Sequence, residues 1–295
     1  MSEQPSALPI QSEEQLIAHI SRPFDDVAIA RLQTELSPDD VVISTFPKCG
    51  TTWSAQIAHG LRATGDMSFD NLGQVFPWFE MGHYFGQDLE STRAFTPALF
   101  KSHMELSELP SGAKVINIIR NPGDTLMSYY NFWADKLFSR SDITLDMMAR
   151  QFFIRDRSDS PRNMFRLNYF QHLVDFHTTQ HDGPVLYLAY EDMKTDLPAA
   201  VRRIAEFMNI DLTRALADKV TQQASFEFMS QHKDKFSEQV PNGVMEMVVT
   251  GRVGDADKGL SSDLKAQLED AWRQYVTPQL GYRNYAELRE AIKPA

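Results

Sequence analysis

The feature that most restricts the fold of this chain is a short apolar run that passes through a tight loop into a helix. Residues 41–46 read VVISTF and are closed by a proline, which is typical of a strand buried on both faces of a parallel sheet. Residues 51–61 then place Trp53, Ile57 and Leu61 at helical spacing. A buried strand followed at once by a helix is the start of a β-α-β unit, so it predicts an α/β fold.

The same order recurs along the chain. Residues 114–120 (KVINIIR) lead through an Asn-Pro-Gly-Asp turn into a helix near Thr125, and residues 185–190 (VLYLAY) precede an amphipathic helix at 199–208. Residues 98–100 are a candidate for a further strand. Because strands that alternate with helices build parallel sheets with both faces covered, we predict a three-layer α/β sandwich with a central parallel sheet.

We predict one domain over residues 1–295, because no repeat, low-complexity block or linker divides the chain. It begins with a helical segment at about 1–36, where apolar residues on either side of Pro23 have the spacing of two short helices. Ligands bind beyond the carboxyl ends of parallel strands, so the residues that follow each predicted strand are the candidates for chemistry.

Composition narrows the class of partner. The 29 Lys and Arg against 40 Asp and Glu give a net charge of −11, which argues against a general nucleic-acid binder. The single cysteine, Cys49, excludes an intramolecular disulfide and a Cys-rich zinc site, and it favours the reducing cytoplasm. The first residues are acidic and polar, unlike a secretory signal, and no stretch approaches the roughly 18 apolar residues of a membrane span. We therefore predict a cytoplasmic protein with no membrane partner.

The loop after the first strand has the chemistry of an anion cradle. Gly50 lets backbone N–H groups turn toward a ligand, the helix N-terminus adds positive potential, Thr51 and Thr52 offer hydroxyl groups, and Lys48 adds a full charge. The lysine comes first in the loop, unlike the usual nucleotide loop, where it comes late. The alternative is an ordinary strand–turn–helix corner with a surface lysine.

A second candidate anion site follows the strand at 114–120. Arg120 can offer a forked pair of donors to a phosphate, and Ser128 can reach the same oxygens from the next helix. The alternative is that Arg120 pairs with a structural carboxylate and that Ser128 lies on a helix face. Two anion sites on neighbouring strand ends suit a nucleotide with two phosphate groups.

His103 follows the candidate strand at 98–100, in the block Lys101-Ser102-His103. Histidine titrates near neutral pH, so His103 at a strand end can take a proton from a hydroxyl nucleophile. The alternative is a structural histidine. The other histidines have no comparable setting, and none has the spacing of a metal ligand, so we predict no metal.

Four blocks together give the chain a resemblance to the cytosolic sulfotransferases that use 3′-phosphoadenosine-5′-phosphosulfate (PAPS). The blocks occur in order, and they read DDVVISTFPKCGTTW at 39–53, KSH at 101–103, RNP with SYY at 120–130, and YLAYEDM at 187–193. The match spans about residues 37–255. The resemblance implies a P-loop nucleotide-kinase-like sulfotransferase fold and a reaction that needs no metal.

The resemblance also implies roles for residues. His103 would be the general base, Lys48 and Lys101 would stabilise charge on the transferring group, and Arg120 with Ser128 would hold the 3′-phosphate. The loop that would hold the 5′-phosphosulfate comprises Lys48, Cys49, Gly50, Thr51, Thr52 and Trp53. Trp53 and Tyr190 would flank the adenine.

The chain departs from the family in several places. Cys49 replaces the usual serine, which leaves the backbone donors in place. Before Gly251 the family has two basic residues, whereas this chain has Val249 and Thr250, and Arg252 follows instead. A family threonine near adenine is Ala224 here, so the neighbouring Ser225 and Phe226 remain candidates. The family dimer motif is not convincing around 258–269, which leaves monomer and homodimer open.

The acceptor side is dense in aromatic residues, and the resemblance implies that these stretches line the acceptor pocket. The candidate wall comprises Phe79, His83, Tyr84, Phe85, Phe132 and Trp133. Such a wall suits a small-molecule phenol, alcohol or steroid-like acceptor. Glu80, His83 and Asp135 nearby keep an amine acceptor open, and the alternative for each ring is plain core.

We therefore predict an enzyme that transfers the sulfuryl group of PAPS to a small-molecule hydroxyl or amine and releases adenosine 3′,5′-bisphosphate (PAP). One alternative is a nucleotide-binding regulatory module of the same fold without turnover. The other is an ATP-dependent kinase, which needs a late loop lysine and an acidic magnesium ligand that the sequence does not show.

Overall fold

The computed structural model describes residues 10–240, 243–249 and 251–294, so the first nine residues of the predicted domain, residues 241–242, Thr250 and the last residue lie outside it. Its centre is a parallel sheet of four strands in the order β2-β1-β3-β4. The strands are β1 (Val41–Ser44), β2 (Leu99–Ser102), β3 (Lys114–Ile119) and β4 (Val185–Ala189). A separate antiparallel pair joins β5 (Glu238–Val240) to β6 (Gly243–Met245). The prediction of a central parallel sheet is confirmed.

Helices connect the strands and cover the sheet. They are α1 (Glu13–Ile20), α2 (Asp26–Leu32), α3 (Thr51–Arg62), α4 (Pro122–Trp133), α5 (Leu145–Met148), α6 (Tyr169–Thr178), α7 (Tyr190–Thr195), α8 (Leu197–Phe207), α9 (Arg214–Gln223), α10 (Phe226–Gln231), α11 (Asp255–Gly259), α12 (Ser262–Ala271), α13 (Thr277–Leu280) and α14 (Tyr285–Ala291). The two helices expected on either side of Pro23 are α1 and α2. Each begins at a side-chain cap, Ser12 for α1 and Asp25 for α2.

The central strands are buried on both faces, which explains why their sequences show no polar alternation. Val41 and Ile43 pack with residues of α3, α8 and α9, whereas Val42 packs on the other side with Phe100 and Val115. Successive side chains of a strand point to opposite faces, so both faces must be apolar when helices cover both. The carboxyl ends of β1, β2 and β3 are left to carry the polar residues.

Two buried histidines make the fold sensitive to acid. Burial lowers the pKa of His59 to about 4, with Arg62 adding to the effect, and burial likewise lowers the pKa of His172 to about 4. In the unfolded chain both groups titrate near pH 6.5, so below that pH the unfolded state takes up protons that the folded state refuses. Their contribution is complete above pH 6.5 and is lost as the pH falls toward 4.

We expect the free energy of unfolding to fall by about 2 kcal/mol for His59 between pH 7 and pH 5, and to fall further because of His172. Urea denaturation at the two pH values measures it. A His59→Phe variant removes one of the two groups and should lose less stability than the parent over the same interval. An equal or larger loss in that variant would contradict this origin of the acid sensitivity.

Candidate active site

The loop between β1 and α3 has the geometry that an anion cradle requires. Lys48 and Gly50 both have positive φ, 72° and 113°, so the chain turns sharply just before the N-terminus of α3. The turn is also tight in space, because a Cβ on Gly50 would lie 3.0 Å from Cδ2 of Tyr190. Backbone N–H groups at such a corner, together with the end of a helix, form a site for negative charge.

Only some of the loop side chains can take part. The Cys49 side chain is buried, its Sγ lies 3.8 Å from Oγ1 of Thr125, and burial raises its pKa to about 12. Thr51 is also buried and shares a 2.6 Å hydrogen bond with the hydroxyl of Thr45. Thr52 is half-buried and lines a recess that it shares with Lys101. Cys49 and Thr51 therefore shape the loop from the inside, and Lys48 and Thr52 are the better-placed ligand contacts.

His103 lies just beyond the end of β2, and its tautomer is determined by a backbone carbonyl. Its Nδ1 is 2.8 Å from the carbonyl oxygen of Thr45. A carbonyl can only accept, so Nδ1 carries the proton and Nε2 keeps the lone pair. Burial, and next the charge of Lys101, hold the pKa of His103 well below its usual value. The side chain is therefore a neutral base at physiological pH.

Glu80 supports His103 from behind. Its fully buried carboxylate accepts the backbone N–H of His103 at 2.7 Å and the hydroxyl of Ser102 at 3.0 Å. Burial raises the pKa of Glu80. The sequence indicated Glu80 only as a contact for a polar acceptor. Its bond to His103 depends on the short bridge that pairs Trp78 with Lys101, and no local pattern indicates that bridge.

Arg120 joins the loop of β1 to the segment before α11. It is only 7 % exposed, and it donates to the carbonyl of Lys48 and to the carbonyl of Arg252, each at 2.9 Å. Its guanidinium carbon lies 4.4 Å from the centre of the Tyr190 ring. Its Nε is buried without a hydrogen-bond partner. An unpaired donor on a buried cation is costly, so the arrangement fits an anionic ligand such as a phosphate.

Asp124 holds the segment that carries Gly251 and Arg252, a role that no sequence pattern indicates. Its carboxylate accepts the N–H of Gly254 at 2.7 Å and the N–H of Ala256 at 2.9 Å. Gly251, with φ of 57°, lies so close to Phe226 that a Cβ would be 2.8 Å from its ring. These contacts hold the predicted residues Gly251 and Arg252 near Arg120.

The remaining donor-side candidates differ in how they lie. Ser128 is half-buried on α4, the helix that follows Arg120. Ser225 caps α10, its hydroxyl oxygen accepting from the N–H of Phe228 at 3.2 Å. The Trp53 and Tyr190 rings are 5.4 Å apart and tilted by 66°. A purine cannot lie between rings that meet edge-on, so it would stack on an outer face of one of them.

The structure separates the predicted acceptor residues into two groups. Phe79 is fully buried and stacks on Phe100 at 4.6 Å in the core, so it offers no surface to an acceptor. His83 and Tyr84 turn toward α2, where both bond to the Oδ2 of Asp25, at 3.0 and 2.7 Å. These three are corrections to the predicted wall, because core packing occupies Phe79 and hydrogen bonds to Asp25 hold His83 and Tyr84.

The second group lies near the two lysines of the candidate site, Lys48 and Lys101. Lys48 Nζ is 3.8 Å from the centre of the Phe132 ring, and Trp133 packs edge-on to that ring. Phe85 stacks on Trp78 at 5.8 Å. Trp78, which was not among the residues predicted from the sequence, has its ring centre 3.8 Å from Lys101 Nζ and 5.2 Å from the centre of the His103 ring.

Fold and site together present two candidate anion sites beyond the carboxyl ends of a parallel sheet, with the buried His103 beside the loop of β1, as expected of a group transferase that uses an anionic donor. The chain belongs to the sulfotransferase family, since the family described as Sulfotransferase domain matches residues 38–283. It is 31% identical over 244 residues to Sulfotransferase 1A1 of Bos taurus, with 79% of each chain covered. The relative of the same name from Rattus norvegicus is 31% identical over 235 residues, with 74% of this chain and 78% of the relative covered.

Solved structures agree with the fold. A mouse sulfotransferase, SULT7A1, complexed with PAP has a TM-score of 0.65 at 19% identity and covers 93% of each chain. Retinol dehydratase in complex with androsterone and the inactive cofactor PAP has a TM-score of 0.66 at 17% identity, with 86% of this chain and 85% of that chain covered. The predicted family, fold and enzyme class are confirmed. Within the described ranges, no helix is long and apolar enough to cross a membrane.

Proposed function

We propose that this protein transfers the sulfuryl group of PAPS to the hydroxyl of a small apolar acceptor in the cytoplasm and releases PAP. The observation that carries the proposal is the neutral His103 imidazole, whose Nδ1 donates to Thr45 and whose Nε2 lone pair is left for a substrate proton. Lys101 and Trp78 lie beside this ring. An amine acceptor would use the same base, so the base does not distinguish the two acceptors. The apolar surroundings favour the hydroxyl.

The residues that would hold PAPS lie on two strand-to-helix corners. The loop ending in Gly50, with Lys48 and Thr52, would take the 5′-phosphosulfate, and Arg120 would take the 3′-phosphate. Bound there, PAPS supplies a sulfuryl group on a bisphosphate leaving group. The contacts around these two corners would come from Trp53, Ser128, Tyr190, Ser225, Phe226, Gly251 and Arg252. The unpaired Nε of Arg120 supports this fit.

The chain's own residues supply acid–base and electrostatic assistance. Nε2 of His103 takes the proton of the acceptor hydroxyl, which is worth about 10²–10⁴-fold in rate. The hydrogen bond to Thr45 keeps the ring in the tautomer that can accept. Lys48 and Lys101 place positive charge where negative charge grows during transfer, in a site largely sheltered from water.

The acceptor would rest on the aromatic rings near the base. Trp78 faces Lys101 and His103, with Phe85 stacked on it, and Phe132 lies under Lys48 with Trp133 beside it. Flat apolar surfaces with a few polar groups bind phenols and steroid-like alcohols. The androsterone and retinol named with the retinol dehydratase structures are alcohols of this kind.

The direct test supplies PAPS, or ATP with Mg²⁺, together with a panel of phenols, alcohols and amines, and identifies products by mass spectrometry. We expect a sulfated phenol or alcohol with PAPS only. A phosphorylated product would favour the kinase instead. Tight binding of PAP without any product would favour a regulatory module.

PAP should also raise the melting temperature of the protein. At a PAP concentration of about 100 times its Kd, binding adds about 2.7 kcal/mol to the free energy of unfolding. Thermal-shift measurements check this, with AMP as the control because it lacks the 3′-phosphate that Arg120 would hold. A shift with AMP as large as that with PAP would contradict the second anion site.

A further inference from the structure

The wall segment, residues 78–87, carries Trp78 at one end and is tied across its turn by a single side chain of α2. Arg31 donates from Nη1 to the carbonyls of Trp78 at 3.3 Å and Phe79 at 3.5 Å. Its Nη2 donates to the carbonyl of Gln87 at 2.5 Å. One guanidinium therefore joins the beginning of the wall segment to its end.

The wall segment is shaped around this guanidinium. A Cβ on Gly82 would lie 2.8 Å from Arg31 Nη1, so a side chain at this position would collide with the arginine. The N–H of Trp78 donates to Oε1 of Gln87 at 2.8 Å, and the N–H of Gly82 donates to the carbonyl of Trp78 at 2.9 Å. The carbonyl of Trp78 is thus shared between Arg31 and the turn itself.

The Arg31 guanidinium is partly buried and bonds to backbone carbonyls of the wall segment. Burial lowers its pKa, with the charge of Asp88 partly opposing the effect. Its planar guanidinium presents donors from separate nitrogens in a fixed geometry, which the single ammonium nitrogen of a lysine cannot reproduce. A guanidinium that is partly withdrawn from water and directed at neutral carbonyls recovers its lost hydration only while those carbonyls stay in place. Movement of the wall segment would break these hydrogen bonds and is therefore energetically unfavourable.

A second tie comes from the first turn of α2. Asp25 accepts from His83 and Tyr84 on the wall segment, and its other oxygen accepts the N–H of Ala28 at 2.8 Å as the cap of the helix. Both ties start on α2 and end on the same segment. The helix is therefore attached to the acceptor side of the site and makes no such contacts with the loop of Lys48.

We propose that Arg31 is a positioning residue for the acceptor, because it holds Trp78 against Lys101 and His103. The assignment of Trp78 to the acceptor side rests on the proposed function. The Trp78 ring lies 3.8 Å from Lys101 Nζ and 5.2 Å from the His103 ring. A shift of its backbone moves the surface on which the acceptor hydroxyl is presented to the base, while the donor corners at Gly50 and Arg120 are untouched.

The experiment compares Arg31→Ala and Arg31→Lys with Arg93→Ala. Arg93 is a matched control, because it forms an ion pair with Asp40 at 3.1 Å, at the other end of β1. With 2-naphthol as the acceptor, we expect KM for 2-naphthol to rise about tenfold in Arg31→Ala, with KM for PAPS unchanged within about twofold. Arg31→Lys should recover little of this, because it lacks the fork. Arg93→Ala should match the parent protein.

Hydrogen exchange gives a readout that does not depend on turnover. Amides of residues 78–87 should exchange faster in Arg31→Ala, while those of β3 keep their protection. An unchanged KM for 2-naphthol, an equal rise in both KM values, or unchanged exchange at 78–87 would overturn the proposal. If the parent protein itself yields no sulfated product, the proposed function fails, and faster exchange at 78–87 alone would still support Arg31 as the brace of Trp78.

Discussion

Replacing His103 by glutamine is expected to lower kcat by about 10²–10⁴-fold while changing the Kd of PAP by less than about twofold. The substitution removes the Nε2 lone pair that would take the acceptor proton. It leaves Lys48, Gly50 and Arg120 in place, so the donor corners are unaffected. Steady-state assays with PAPS and a phenol measure kcat, and calorimetry measures the Kd of PAP.

The pH dependence separates a catalytic from a structural role of His103. Burial and the neighbouring Lys101 hold its pKa well below the usual value, so the imidazole stays neutral and competent below pH 6.5. We expect the acidic limb of kcat/KM to lie below that pH in the parent protein and to be absent in His103→Gln. His181→Gln serves as the control, because His181 precedes β4 at the opposite end of the sheet, where it bonds to Gly183. Full turnover in His103→Gln would refute the base assignment.

The fold could be predicted from the sequence because the residues that begin and end its strands and helices form local patterns. The predicted strand at 114–120 is observed as Lys114–Ile119, and the predicted helix at 51–61 as Thr51–Arg62. The helix expected near Thr125 begins earlier, at Pro122, since proline is favoured in the first turn of a helix. The strand expected at 98–100 is shifted to Leu99–Ser102, because its last two residues are polar and hide the pattern.

The positions of site residues along the chain were also predictable, but the directions of their side chains were not. Lys48, His103 and Arg120 follow strands of one parallel sheet, and this topology alone places them at the same edge. Cys49 belongs to the same loop, yet its side chain packs into the core. Likewise, the sequence favours Phe79 although it is Trp78 that faces Lys101, because the register of this segment against β2 is set only by tertiary pairing.

Supporting residues escaped the sequence analysis for a different reason. Asp124 acts on the backbone of Gly254 and Ala256, far along the chain, and Glu80 acts on the backbone N–H of His103. A carboxylate that accepts from a remote main-chain group leaves no pattern near itself. His83 is the opposite case. Its residue type suits an acceptor contact, but its side chain is already bonded to Asp25.

Replacing Arg120 by alanine is expected to weaken PAP binding by about 100-fold, since charge-assisted hydrogen bonds contribute about 1.5–3 kcal/mol each. The buried guanidinium now bridges the carbonyls of Lys48 and Arg252 and keeps an unpaired Nε. The two basic residues that the family has before Gly251 are missing from this chain. We therefore expect Arg120 to contribute more to binding of the 3′-phosphate than it would beside such a pair.

Calorimetry with two ligands measures the contribution of Arg120 to binding of the 3′-phosphate. PAP should lose about 100-fold in affinity in Arg120→Ala, whereas AMP, which lacks the 3′-phosphate, should lose less than about tenfold. Arg252→Ala is the comparison variant: Arg252 would also contact PAP, but its side chain is exposed and Arg120 bonds only to its main-chain carbonyl, so PAP should weaken less than in Arg120→Ala. Melting temperatures of both variants show whether each remains folded. Equal losses for PAP and AMP in folded Arg120→Ala would mean that Arg120 orders the loop of Lys48 and does not bind the second phosphate.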